Sequence, residues 1–113
     1  MINLRRYLAT ACAVLFATPA MAACPYPDDI QVPDGSKASE AEMIDGQTLV
    51  KSYMAEMENY LECLDKESSA RTEEETDDQK AMHVKRHNAA VDAMEQVAAS
   101  FNEQIRAYKA RAN

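Results

Sequence analysis

Three patterns of apolar and polar positions follow one another along the chain. From Tyr7 to Ala17 the residues are apolar except for Thr10, with Arg5 and Arg6 before them. From Cys24 to Lys37 there is little periodicity, and Pro25, Pro27, Pro33 and Gly35 punctuate the run. After that the apolar residues return at alternating steps of three and four, the spacing of one helix face. Met43, Gln47, Val50, Met54, Met57, Leu61 and Leu64 form one such line, and Val84, His87, Val91, Met94, Ala98, Phe101, Ile105 and Tyr108 form another.

Two start signals divide the helical part. Ser39 followed by Glu42, and Thr76 followed by Gln79, have the form of a capping box, in which the hydroxyl and the residue three positions on cap each other's backbone amides. The charged stretch Arg71–Glu75 between them reads as a connection. The pattern predicts helices near 39–70 and 77–110. Gln47 to Asn113 contains neither glycine nor proline, a composition suited to long helices. Gly46, just before it, should weaken the first helix by about 1 kcal/mol relative to alanine, and could bend it.

The two apolar lines fit together as an antiparallel hairpin. Met54 with Met94, Met57 with Val91 and Leu64 with Val84 are each equidistant from residue 74, inside the predicted connection. The expected fold class is therefore all-α, a coiled-coil-like two-helix hairpin over 39–113 with an extended arm over 23–38. A second stripe on the first helix, Gly46, Leu49, Tyr53, Tyr60 and Cys63, lies off this seam and needs a cover. The arm offers Tyr26, Ile30 and Val32. The alternative is that the stripe is a homodimer face.

Residues 1–22 have the form of a secretory signal, with a charged start, a short apolar run and small residues at Ala20 and Ala22 before a cleavage point. The apolar run is too short to span a membrane, which takes about 20 residues. Export changes the meaning of the cysteines. Cys12 leaves with the signal, and Cys24 and Cys63 remain as an even pair in an oxidising compartment, which predicts a disulfide. The rival is a lipoprotein: Met21-Ala22-Ala23-Cys24 loosely resembles a lipid-attachment sequence, and lipidation of Cys24 would leave Cys63 unpaired. The spacing is not that of a C-x-x-C redox pair.

Charge is unevenly distributed. The whole chain has a formal net charge of −7. Residues 24–79 carry 4 basic and 16 acidic groups, whereas residues 80–113 carry 6 basic and 3 acidic. So acidic a chain, without a basic cluster, is a poor ligand for nucleic acid. Helices of unlike charge favour each other as neighbours.

"VPDG" (Val32–Gly35), "YLEC" (Tyr60–Cys63) and "FNEQIRAYKAR" (Phe101–Arg111) resemble segments of a group of small, uncharacterised exported proteins of proteobacteria. The resemblance implies an exported helical protein with two cysteines, in the periplasm of a Gram-negative cell. It implies no activity, and no functional residue is carried over.

Few residues suggest chemistry. His83 and His87, one turn apart, could share a Zn²⁺, Cu²⁺ or Ni²⁺ ion, with Met82 as an adjacent thioether. Against this, His87 falls on the seam opposite Leu61, and structural metal sites want four ligands. Most methionines of the helices fall on the seam, where they read as core rather than a copper box. The acidic run Glu73–Glu75 with Asp77 and Asp78 lacks the alternating ligand pattern of a Ca²⁺ loop. No glycine-rich phosphate loop and no supported Ser/His/Asp arrangement is present. The expectation is a non-enzymatic interaction or structural module without a cofactor, its protein partner unidentified. A metal-binding protein using His83 and His87 is the alternative.

Overall fold

The computed structural model describes residues 24–71 and 74–112. The arm from Cys24 leads into α1, Glu40–Arg71, and a short connection leads to α2, Asp77–Ala112. The two helices pack against each other as a hairpin. Their limits agree with the expected ones to within two residues. The expected signal segment, Cys12, Thr72 and Glu73 lie outside the described residues.

Both helices begin as their sequences predict. The Ser39 amide donates to Glu42 Oε2 at 2.7 Å, and the Glu42 amide donates to Ser39 Oγ at 3.1 Å. At α2 the Thr76 amide donates to Gln79 Oε1 at 2.9 Å, and the Gln79 amide to Thr76 Oγ1 at 3.2 Å. Each pair satisfies two amides that a helix start otherwise leaves without partners.

The core lies in the angle between α2 and the arm. Met57 and Leu64 are fully buried, and Tyr53 and Tyr60 are nearly so. Cys24 from the arm and Ala90 from α2 join them, with Ile30, Met54, Leu61 and Met94 packed around the edge. A second cluster closes the open end of the hairpin, where Ala38, Met43 and Phe101 are buried against Val32, Val50, Ile105 and Tyr108. Two of the expected pairs lie in common clusters, Met54 with Met94 and Met43 with Ile105, whereas Ala90 rather than Val91 joins Met57.

The second stripe of α1 is covered by the arm, as the sequence suggested, so the homodimer alternative for it does not apply in this structure. Two expected members behave differently. Leu49 is 41% exposed, at the far edge of the stripe. Gly46 is buried for a reason the sequence does not reveal: an added Cβ there would lie 2.6 Å from both Cδ and Cγ of Pro33 and 3.4 Å from Phe101 Cε2. The helix keeps a residue of low helix propensity because the arm's proline ring rests on its backbone.

On α2 the buried line is rotated from the expected one. His83, His87, Ala90, Met94, Val97, Phe101, Gln104 and Tyr108 are buried or half-buried and keep the three-four spacing. Val84, expected on the seam, is 55% exposed. The cause is the arm. A helix packed on α1 alone would centre its apolar stripe on α1, whereas α2 must also face the arm and turns toward it.

Candidate functional site

The arm is fastened at both ends. Near its start, Cys24 and Cys63 are joined by a disulfide with their Cα atoms 5.7 Å apart. Cys63 sits half-buried on the arm side of α1, one turn from Tyr60. Glu67 Oε2 stands 3.4 Å from Cys24 Sγ, a simple contact because the bonded sulfur has no proton to share. Lipidation and disulfide formation compete for the same sulfur, and here it is bonded to Cys63.

The other end is a turn. The Lys37 and Ala38 amides both donate to the Asp34 carbonyl, at 3.0 and 2.8 Å. The Asp34 carboxylate accepts from the Ser36 amide at 2.9 Å and from the Ser36 hydroxyl at 2.6 Å, which is how Asp stabilises a turn. These two bonds to Ser36 hold the Asp34 carboxyl below the usual carboxylate range, with Lys37 and Arg111 contributing in the same direction. The Gly35 amide donates to Gln104 Oε1 at 2.9 Å. A Cβ on Gly35 would overlap the Gln104 carbonyl, so this close approach of arm to α2 requires glycine. Arg111 donates to the Ala38 carbonyl and lies over the Tyr108 ring.

Between these fastenings the arm and α1 form an apolar notch of about 330 Å³ lined by Pro25, Tyr26, Pro27, Asp28, Glu56, Asn59 and Tyr60. The Tyr26 ring meets the Tyr60 ring edge-on, centroids 5.1 Å apart. Tyr26 remains 48% exposed. Burial raises the Tyr53 phenol above its ordinary pKa, and the nearby Tyr26 and Asp29 add to the effect. In the sequence Tyr26 reads only as a cover for α1. The signal for the notch was the Pro-Tyr-Pro run directly after Cys24.

A polar cluster occupies the connection end. Arg71 Nη1 is 3.0 Å from Glu67 and its Nη2 is 3.7 Å from Glu75. Ser68 Oγ donates to Glu75 at 3.3 Å. Glu75 lies in the expected connection, yet its side chain is only 9% exposed. Arg86 reaches Glu67 at 3.5 Å and lies over Tyr60. The Tyr60 hydroxyl first, and Glu67 after it, push the Arg86 guanidinium above its already high range.

His83 Nε2 faces Asp65 at 3.5 Å. The His83 and His87 rings are 6.4 Å apart at their centroids. His83 Nδ1 is buried and has no hydrogen-bond partner among the described residues. Among the described residues, no group of three or more His, Cys, Asp or Glu side chains is arranged to hold a metal ion. Nor is any described helix long and apolar enough to cross a membrane. No protein family, curated protein or solved structure matches this chain.

Proposed function

We propose that this chain is an exported, non-enzymatic interaction module of the bacterial envelope, working through a recognition surface on its stapled arm. The notch at Tyr26 carries this reading. Tyrosine is a favoured contact residue because it offers a large rigid surface and a polar tip. The flanking prolines and the nearby disulfide limit the arm's freedom, so a partner would order little when it binds. Asp28 and Glu56 on the notch lining favour a partner segment that brings an apolar side chain beside a basic one. Export is supported by the form of residues 1–22, by the Cys24–Cys63 disulfide, which suits an oxidising compartment, and by the resemblance to exported proteobacterial proteins.

Site-specific photo-crosslinking in cells tests this. A photoreactive residue at position 28, beside the notch, should yield an adduct with an envelope protein, and Tyr26→Ala should abolish it. The same probe at Asn88, exposed on α2, should not yield that adduct. Equal adducts from both positions would contradict the notch reading.

The competing reading is metal binding, favoured by Asp65 standing beside His83. Calorimetric titration of the oxidised protein with Zn²⁺ and Cu²⁺ separates the two. Tight one-to-one binding that disappears in His87→Ala would establish the metal reading.

A further inference from the structure

The hairpin has two broad faces, and the arm covers one. The other is not polar, as an isolated hairpin would require. The rotation of α2 leaves Val84, Val91, Ala98 and Ile105 along it, spaced by seven, with Val84 55% exposed and the other three half-buried. From α1, Val50 and Met54 are half-buried beside them and Ile44 is 55% exposed. At the open end these residues flank an apolar groove of about 220 Å³ between Met43, Ile44, Phe101, Ile105 and Tyr108. A heptad-spaced line that one helical neighbour leaves open is the pattern of a helix with two partners.

We propose that the uncovered face binds a second copy of this chain, forming a two-fold four-helix bundle with both connections at the same end. Charge selects both the occupant and its direction. Helical spacing puts the exposed acidic residues of α1 on this side, Glu40 four before Ile44, Glu58 four after Met54 and Asp65 seven after Glu58, and the exposed Lys80 and Lys109 of α2 four before Val84 and four after Ile105. Two hairpins can stack about a two-fold axis in two ways. With the connections at opposite ends, α1 lies on α1 and sets carboxylates against carboxylates. With the connections together, each α1 lies antiparallel on the second copy's α2. In that packing Glu40 comes level with Lys109 of the second copy. The two residues that break the charge pattern also match, because Lys51 comes level with Glu95. Ile44 comes level with Ile105, which closes the open-end groove. Complementary charge of this kind sets register and partner choice.

The area is adequate. At 1.5 Å per residue α2 gives a face about 50 Å long, and two helices about 10 Å apart make it about 20 Å wide. Covering it on both copies removes about 2,000 Å² from water, the range of specific interfaces. The arms lie on the outside of such a bundle, so the two Tyr26 notches stay accessible. The dimer does not depend on what the notch binds.

Sedimentation equilibrium of the oxidised protein from Ala23 to Asn113 tests this. The expected mass is that of two chains, falling toward one on dilution. Val84→Glu, at a position too exposed to matter for folding, should weaken the dimer at least tenfold with unchanged helicity by circular dichroism. Lys51→Glu should weaken it, and adding Glu95→Lys should restore it. A single-chain mass at every concentration would overturn the proposal. So would a dimer that ignores Val84→Glu, which would place the contact on another face. A dimer weakened by Val84→Glu but not rescued by the charge exchange would overturn the connections-together packing.

Discussion

The two faces of the hairpin are built from similar residues and end in different states. On the covered face, the arm turns Tyr53, Met57, Tyr60 and Leu64 into a core. On the bare face, Val50, Met54, Val91 and Ala98 stop half-way, shielded on one side only. The difference is not hydrophobicity but whether a third segment is available. A two-helix hairpin has one contact line and cannot enclose a side chain by itself. Each face needs a cover. The chain supplies one through the arm from Cys24 to Ala38, held by a disulfide at its start and a turn at its end.

The same substitution has unequal effects on the two faces. Met57→Asp would bury a carboxylate with no partner at a fully enclosed position, costing several kcal/mol and unfolding a domain of this size. Met54→Asp, one turn away toward the bare face, should cost clearly less in protein dilute enough to be a single chain, since its charge can then reach water. Thermal melts by circular dichroism compare them, and equal losses would remove the distinction between the faces.

Opening the cover is the next largest effect. The cysteines are 39 positions apart, and closing a loop of about 40 residues is worth up to about 4 kcal/mol in the chain-entropy account. That is close to the whole stability expected of a small domain. Reduction should lower the melting temperature sharply, and amide exchange should quicken along the arm-facing side of α1 before the bare side.

Gly46→Ala inverts an ordinary rule. In most helix interiors the change stabilises by about 1 kcal/mol. Here the added carbon meets the Pro33 ring, so the arm must lift, and overpacking of this kind costs about 1–3 kcal/mol. The net result should be destabilisation, measured by urea unfolding. Pro33→Ala in the same chain should relieve most of it. A stabilised Gly46→Ala would mean that the arm does not rest on α1 there.

The smallest expected effect concerns the arm's turn. Asp34 is held below the ordinary carboxylate range by Ser36. A depressed pKa contributes stability above the unfolded carboxylate value, and that contribution is lost as the pH falls through the folded value. Acidification should therefore loosen the turn only as the pH falls through and below the ordinary carboxylate range. Ser36→Ala should move the Asp34 titration, followed by carboxyl NMR, back toward the ordinary range.

Much of this architecture was legible in the sequence because each feature had a local signature. Ser39–Glu42 and Thr76–Gln79 mark the helix starts, and both caps form as the spacing requires. The apolar lines centred on residue 74 fixed the hairpin, and two cysteines in a chain with an export-like leader fixed the staple. The rotation of α2 was not legible. Ala90 and Val91, and Val97 and Ala98, are adjacent small apolar residues, so the pattern admits either line as the seam. The choice depends on where the arm lies in space. Nor could Glu75 be recognised as shielded within an acidic run, since the enclosure comes from Arg71 and Ser68 on the preceding helix. The Tyr26 notch was missed because a Pro-rich arm reads as a strap, while its use as a surface depends on what it rests against.

The fold rests on the disulfide that closes the arm over α1, and the proposed function rests on export of the chain. Intact mass spectrometry of the protein recovered from the cell envelope, alkylated before any reduction, reads both at once. The expected mass is that of Ala23–Asn113 less two hydrogens, with no alkylated thiol. A diacylglyceryl adduct on Cys24 or an alkylated Cys63 would contradict it, and so would a chain that retains its first 22 residues.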